Sequence, residues 1–411
     1  MRIMQKSDKK IFGALFLSIF TAVTGVGIVV PLLPVYAHDL GASGLYIGLV
    51  FGAFSLSRTF FLPYFGRLSD TKGRKPLISA GLIAYAIVSI AFLFSTSVDT
   101  LIIIRFIQGI ASAMIMPVSQ AYIGDITPKG KEGLIMGMFN MSMFFGLSIG
   151  PLIGGFIKDY FSLDTAFICM ALLSFTAFLT SRIFLPPTCT EKAVSSQKTP
   201  IAWKHLIKDR VLIGLFMFRF AYTAAIGIIW SFLPVLSSLE FHLSSFSTGV
   251  LVTLGVFISG LLHTPMGIAA DKFNKRVLVI TGGIVICFSM FVFARSGSFF
   301  HLLFASILFG VGGGFSMPAL MALAVLKGKE TDSMGSVMAL ITTAHSSGML
   351  TGSLAAGLIM DMFRLRQAFY LGSGIMVFGI ILFFLCTRYG KPFDKKERAA
   401  LVSGHAAIHD P

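Results

Sequence analysis

The sequence predicts an all-α membrane protein with twelve transmembrane helices in two pseudo-symmetric six-helix bundles. Three observations lead to this fold class. The 411 residues are 55% hydrophobic but only 12% charged, which is about half the charged fraction of a typical soluble domain. The apolar residues form twelve runs, each long enough to cross about 30 Å of hydrocarbon. Several short motifs also recur at one nearly constant distance along the chain.

The apolar runs, numbered here as spans 1 to 12, fall into two sets of six. The first six lie near 11–37, 45–66, 76–96, 99–123, 133–157 and 164–185, and the last six near 211–236, 246–269, 276–294, 299–325, 333–359 and 366–387. A polar stretch rich in Lys, Thr and Pro separates them. We therefore predict an N-terminal bundle (1–185), a cytoplasmic linker (186–210), a C-terminal bundle (211–390) and a cytoplasmic tail (391–411).

The basic residues predict the orientation of the spans. With both termini inside, the inner loops and tails hold 26 of the 33 Lys and Arg residues, the outer loops hold 4, and three arginines lie within spans. Positive charge concentrates in cytoplasmic loops of membrane proteins. The bias predicts that both termini are cytoplasmic, in a plasma membrane, with a bacterial inner membrane expected.

The two sets of spans are related by an internal repeat. Matching residues stand 201 or 202 positions apart: Gly66 and Gly267, Asp70 and Asp271, Gly109 and Gly310, Pro117 and Pro318, and Asp159 and Asp361. Parallel repeats of this kind build transporters whose substrate path lies between the two halves. The repeat therefore predicts two bundles with a shared central cavity.

Composition and motifs argue against several other classes of protein. The net charge of +15 is spread over loops without a basic, aromatic-rich cluster, so no nucleic-acid partner is expected. The four cysteines have no metal-like spacing, and neither a metal nor a cofactor is expected. A phosphate loop and a nucleophile-and-base pair are both missing from the sequence, which disfavours ATP-driven pumping and an enzyme.

The loop after span 2 carries a family resemblance. It reads Gly66-Arg67-Leu68-Ser69-Asp70-Thr71-Lys72-Gly73-Arg74-Lys75, which resembles the signature loop of the major facilitator superfamily. The resemblance covers essentially the whole chain and implies the major facilitator fold. It also implies a cytoplasmic latch between the halves, and the candidate latch residues are Gly66, Asp70, Gly73, Arg74, Lys75, Asp125 and Asp271. The alternative is a basic loop that only sets topology. The second copy of the loop has Asn274 in place of the second Gly.

Span 5 resembles the motif of the drug:proton antiporter branch of this superfamily. The motif residues are Gly146, Gly150, Pro151, Gly154 and Gly155. Three of the glycines stand on one helical face, where they permit close approach of another backbone, and Pro151 is expected to bend the helix. The resemblance implies an exporter, whereas the alternative is ordinary small-residue packing.

Three arginines lie well inside the predicted spans. Ionisable groups at that depth are costly and indicate functional sites. Arg105 matches the buried arginine that the family associates with proton coupling, and polar residues follow Arg105 and Arg219 at helical spacing. The predicted cavity residues are Arg58, Arg105, Gln108, Ser112, Met116, Arg219, Thr223 and Trp230. The alternative for each arginine is neutralisation by backbone carbonyls or snorkelling to an interface.

The sequence departs from many multidrug antiporters because no acidic residue lies near mid-membrane. Of 18 acidic residues, twelve fall in inner segments and six in or beside outer loops. The remaining candidates for proton coupling are Asp39, Arg105, His263 and His345, and each histidine has an equally good alternative as a helix-to-helix hydrogen-bond partner. A positive cavity without an acid favours anionic or zwitterionic substrates.

These observations predict a monomeric secondary active transporter in the lipid bilayer that exports small amphipathic or anionic organic compounds, coupled to protons, by alternating access. The alternative is an importer or exchanger of anionic metabolites, which the arginines favour. A membrane sensor or scaffold is a third hypothesis, and it would need a signalling domain that the short predicted tails do not offer.

Overall fold

The fold is described from a computed structural model, which describes residues 6–128, 132–186, 209–330 and 334–388. Most of the predicted linker and the predicted tail lie outside these residues, so the proposed domain boundaries stay predictions. The described residues form helices without any strand. Eleven of these helices are long and apolar enough to cross a membrane.

Each predicted span corresponds to a helix. Span 1 comprises Lys6–Val29 and the short helix Leu33–Asp39, and the other helices of the first set are Gly44–Lys72, Arg74–Ala91, Val98–Ile126, Glu132–Tyr160 and Leu163–Phe184. Spans 7 to 12 are Arg210–Leu239, Ser245–Lys272, Lys275–Arg295, Phe299–Glu330, Met334–Met362 and Leu365–Arg388. The twelve-helix prediction is therefore confirmed, with one 3-10 turn at Phe92–Phe94.

Local sequence explains where several helices begin and end. Span 1 breaks between Val29 and Leu33, because Pro31 and Pro34 cannot donate a backbone N–H to the preceding turn. Ser97 caps span 4 by accepting from the Thr100 backbone N–H. Gly73 joins spans 2 and 3 with a φ of +87°, a left-handed conformation that favours glycine.

The equivalent turn of the C-terminal half is built differently. Asn274 has a φ of −67°, and its side chain caps span 9 by accepting from the Arg276 backbone N–H at 3.0 Å. Glycine is therefore not required there, which explains why the second copy of the loop lacks it.

The helices of each half pack mainly on one another, and two helix pairs join the halves. Span 2 packs against span 11, and span 5 packs against span 8. The span-11 helix, Met334–Met362, carries many Ser, Thr and Gly residues. In the part of the chain that the structure describes, it is the one long helix outside the eleven apolar candidates. This polar character suits a helix that contacts both halves at the centre of the molecule.

Candidate substrate site

The two halves meet at one end of the molecule and separate at the other. We call the end that carries Gly66–Lys75 the inner end, following the predicted orientation. One apolar core runs through the C-terminal half and the outer part of the N-terminal half, while the inner part of the N-terminal half has a separate core. Among the described glycines, the contacts between the halves extend inward as far as Gly52 and Gly260, whereas Gly66 and Gly267 at the inner end face open space. The described residues therefore form a cavity that is closed outside and open inside.

Close glycine contacts produce the outer closure. A Cβ on Gly48 would lie 2.5 Å from the Ser353 carbonyl oxygen of span 11, so no larger residue fits at this position. Gly249 of span 8 lies in the same way against the carbonyl of Pro151. The Thr253 hydroxyl also donates to the Ser148 carbonyl at 2.7 Å. Both helix pairs that join the halves are thus tightly packed over their outer parts.

Two carboxylates complete the outer closure, one from each half. Asp159, at the outer end of span 5, accepts from the backbone N–H groups of Ser245 and Phe246 at 2.9 and 2.8 Å. Asp361, at the outer end of span 11, accepts from those of Gly44 and Leu45 at 2.6 and 2.8 Å. Each carboxylate thus caps the N-terminus of a helix in the opposite half, where the helix dipole favours a negative charge.

The motif of span 5 lies at this closure. A Cβ on Gly150 would lie 2.6 Å from the Cα of Gly27 in span 1, and one on Gly154 would overlap the backbone of Ile28. Gly155 faces the Ser245 backbone of the other half, and Pro151 lies against Gly249. Gly146 makes a looser contact with span 1. The motif glycines therefore allow span 5 to approach both spans 1 and 8.

The candidate latch residues lie at the inner end, where the halves are apart. Arg74 pairs with Asp70 and donates from Nε to Asp125 at 3.1 Å, which links span 3 to spans 2 and 4. Lys75 is half-buried, and Asp271 of the C-terminal half is exposed. The structure thus shows that two of the latch candidates, Arg74 and Asp125, pair with each other within the N-terminal half. A latch between the halves stays a prediction.

Arg105 is held firmly by its surroundings. It is 6% exposed, its Nε donates to the Val50 carbonyl at 3.1 Å, and it also donates to Oε1 of Gln108 at 2.7 Å. The guanidinium lies over the rings of Phe51 and Phe54, 5.1 and 4.5 Å from their centres. These contacts tie span 4 to span 2 and stabilise the positive charge.

Arg219 has weaker partners. It donates to the thioether sulfur of Met317 at 2.7 Å, and another of its nitrogens lies 3.2 Å from Nδ1 of His345. Its Nε is buried without a hydrogen-bond partner, and the Tyr222 ring centre is 5.9 Å away. Arg219 stands nine residues from the start of span 7, which places it about 13 Å from the inner end. It is thus a half-buried cation at mid-membrane.

Arg58 and the two membrane histidines surround the same region. His345 is within electrostatic range of both Arg219 and Arg58, and the Nε of Arg58 is buried without a partner. The Nδ1 of His263 lies 3.0 Å from the Ser259 carbonyl, and its ring centre is 4.9 Å from that of Phe144. Within the described ranges, neither Arg58 nor Arg219 forms an ion pair with a carboxylate.

The structure places the other predicted site residues in three environments. Ser112, Met116 and Trp230 are half-buried, while Gln108 is fully buried against Arg105. Thr223 is also fully buried, and its hydroxyl donates to the Arg219 and Ala344 carbonyls at 2.9 and 3.3 Å, between spans 7 and 11. Asp39 lies exposed at the outer end, beside a cleft of about 370 Å³.

Sequence reasoning missed three kinds of functional residue. Met317 of span 10 contacts Arg219, and Phe51 and Phe54 of span 2 enclose Arg105; periodicity within one helix cannot reveal these partners on other helices. Tyr222 also contacts Arg219, but it lies three residues further along the same helix, so helical spacing was the available signal. The capping role of Asp159 and Asp361 was also missed. Their recurrence 202 residues apart was the available signal.

A cavity between two six-helix halves, closed at one end by symmetric contacts and open at the other, is the architecture of a class of secondary transporters. Comparison with known proteins identifies the family. The model of the Major Facilitator Superfamily matches residues 15–259 and 215–409, so the chain belongs to that superfamily.

Similar proteins include characterised and uncharacterised transporters. An uncharacterised MFS-type transporter of Methanocaldococcus jannaschii is 30% identical, over 92% of this chain and 97% of its own. The quinolone resistance protein NorA of Staphylococcus aureus is 26% identical, over 96% of this chain and 98% of its own. The crystal structure of the human organic anion transporter MFSD10 superposes with a TM-score of 0.67 at 18% identity, covering 92% and 100% of the two chains.

Proposed function

We propose that the protein exports small amphipathic organic anions across the membrane, with proton coupling. The observation that carries this proposal is the charge of the central cavity. Arg58, Arg219 and the neighbouring Arg105 bring three positive charges to mid-membrane, and the described carboxylates all lie toward the two ends. A desolvated cation without a counter-ion is stabilised by an anionic ligand.

Arg219 is the best candidate for direct contact with the substrate. Its present acceptors, a thioether and an imidazole, are weak compared with a carboxylate or sulfonate. A carboxylate can accept two parallel N–H bonds from a guanidinium, and this geometry adds affinity. Met116 of span 4 and Trp230 of span 7 are half-buried and are candidates for apolar contacts with an amphipathic molecule.

Two features support export. The glycines and Pro151 of span 5 match the motif that resembles the drug:proton antiporter branch, and the similar protein NorA is named for quinolone resistance. The alternative function is import or exchange of anionic metabolites. The arginines favour it equally, since charge selects the substrate but not the direction of transport.

Flux in inverted membrane vesicles tests the proposal and separates these alternatives. We expect vesicles that contain the protein to accumulate radiolabelled naphthalene-2-sulfonate or salicylate faster than vesicles with Arg219→Ala. Faster accumulation in right-side-out vesicles would favour import. Equal rates for the wild type, Arg219→Ala and empty vesicles with every anion tested would contradict the proposed substrate class.

A further inference from the structure

The hydrogen bond between Arg219 and His345 defines the protonation state of the histidine. A guanidinium has only donors, so Nδ1 of His345, 3.2 Å away, must accept. The imidazole is therefore neutral, with its one proton on Nε2. A proton on Nδ1 would break this hydrogen bond and place a second positive charge directly beside Arg219.

The surroundings of His345 offer no negative charge to balance such a proton. Span 7 presents Arg219 and Tyr222, span 2 presents Arg58, and span 8 presents His263. Span 10 contributes Met317, which does not titrate, and the ionisable residues of span 12 in the described part of the chain lie away from mid-membrane, at Arg366, Tyr370, Cys386 and Arg388. Without a ligand, the region holds its positive charge on arginine alone.

An anion bound at Arg219 makes protonation of His345 more favourable. One oxygen of a carboxylate or sulfonate bound to Arg219 can also accept from a protonated Nδ1 of His345, because the two side chains are already in contact. The negative charge then separates the two cations. Proton binding and anion binding therefore favour each other, and by linkage each increases the affinity for the other by the same factor.

We propose that His345 takes up a proton when an organic anion binds to Arg219, so that one proton and one monovalent anion cross the membrane together. This inference rests on the proposed function and deepens it. The proton enters from water at the open inner end, resides on Nδ1, and leaves with the anion on the other side. The Arg219–His345 hydrogen bond then re-forms, and no other bond changes.

The sign of this coupling is opposite to that of an antiporter with a buried carboxylate. There, a proton and a cationic drug compete for one negative group, so they move in opposite directions. Here, the proton and the anion bind cooperatively and move in the same direction without net charge. Export by this site is driven by accumulation of the anion inside the cell.

His301 provides a matched control outside the cavity. It is exposed in the first turn of span 10, at the outer end, and its Nδ1 lies 2.9 Å from the Ser298 hydroxyl oxygen. It stands about 24 Å along span 10 from Met317, the residue of this helix that contacts Arg219. We therefore expect His301→Gln to preserve the coupling.

Calorimetric titration of the purified protein with naphthalene-2-sulfonate tests the inference. The sulfonate stays ionised throughout, and Tris and Bis-Tris avoid competition from anionic buffers. For the wild type and His301→Gln, we expect the dissociation constant to fall at least about tenfold between about pH 7.5 and about pH 5.5, with about one proton taken up per anion at the higher pH. For His345→Gln, we expect less than about a twofold change and no proton uptake.

The outcomes distinguish this inference from the proposed function. Binding with equal affinity at both pH values and without proton uptake by the wild type would overturn the coupling but leave anion transport standing. Failure of the wild type to bind naphthalene-2-sulfonate and salicylate at either pH would overturn both. If His345→Gln does not fold, proton uptake by the wild type, measured from the heats in the two buffers, decides the question.

Discussion

Each half has an arginine deep in the membrane, but the two arginines differ in their hydrogen-bond partners and in their burial. Arg105 of the N-terminal half donates to a backbone carbonyl and to Gln108, and two phenylalanine rings cover its guanidinium. Arg219 of the C-terminal half donates to a thioether and an imidazole, and its Nε has no partner. Arg105 is almost completely buried, whereas Arg219 is half-buried.

The difference teaches that depth in the membrane alone does not identify a binding residue. Arg105 already has neutral acceptors of good geometry, so its main contribution is to hold span 4 against span 2. Arg219 retains unused donor capacity beside an open cavity. An incoming anion therefore gains more from Arg219, although both residues have the same side chain and a similar setting in the sequence.

Replacing Arg219 should have the largest effect. We expect Arg219→Ala to lower kcat/KM for organic anions about 100-fold, since a hydrogen-bonded charge pair contributes about 2–3 kcal/mol. Arg219→Lys should recover about a tenth of the wild-type value, because an ammonium keeps the charge but loses the bidentate geometry. Initial rates of uptake into proteoliposomes measure both effects. Equal kcat/KM for Arg219→Ala and the wild type would remove the distinction between the two arginines.

Replacing Arg105 should mainly affect stability. Arg105→Met leaves the Val50 carbonyl and Gln108 without their donor, and we expect a loss of about 2 kcal/mol in the free energy of unfolding. Anion affinity should change less than about threefold by simple screening of a distant charge. Thermal unfolding in detergent and a binding titration give the two values. A variant of normal stability that no longer binds anions would reverse the assigned roles.

Asp159 and Asp361, which cap helices of the opposite half at the outer end, test how the two halves are joined. The double variant Asp159→Asn, Asp361→Asn removes both negative charges from helix N-termini, each contributing about 1 kcal/mol. We expect the ratio of outward-open to inward-open molecules to rise up to about 30-fold, as about 2 kcal/mol in total implies. A Ser353→Cys probe, labelled by a membrane-impermeant maleimide in a background without native cysteines, reports it.

Asp164→Asn is the matched control for this experiment. Asp164 is also acidic and near the outer end, but it lies in the first turn of its own helix, Leu163–Phe184. The control should leave the labelling rate unchanged. Identical labelling of the double variant and the control would mean that the caps do not hold the outer side closed.

Replacing Arg58 should affect transport far less than replacing Arg219. It lies within electrostatic range of His345 but makes no hydrogen bond to Arg219 or its partners among the described contacts. We expect Arg58→Gln to raise KM for anions about threefold, because it weakens the field of the cavity without removing a direct contact. A loss as large as that of Arg219→Ala would make Arg58 a second binding residue.

The sequence predicted the helices well because lipid imposes a simple requirement on length and apolarity. The repeat also indicated which residues occupy equivalent positions, including Asp159 and Asp361. The partners of Arg219 on other helices could not be predicted, since Met317 and His345 lie 98 and 126 residues further along the chain. Contacts between distant parts of the chain therefore determine whether an arginine already has strong hydrogen-bond acceptors or can still donate to a substrate.

Charge selectivity tests the central claim most directly. Proteoliposomes are given naphthalene-2-sulfonate or the naphthalene-2-trimethylammonium cation, which share a ring system and differ in the sign of their charge. We predict saturable transport of the sulfonate, with kcat/KM lowered about 100-fold by Arg219→Ala, and no transport of the cation above empty liposomes. Saturable transport of the cation that Arg219→Ala leaves unchanged would contradict an anion-selective cavity.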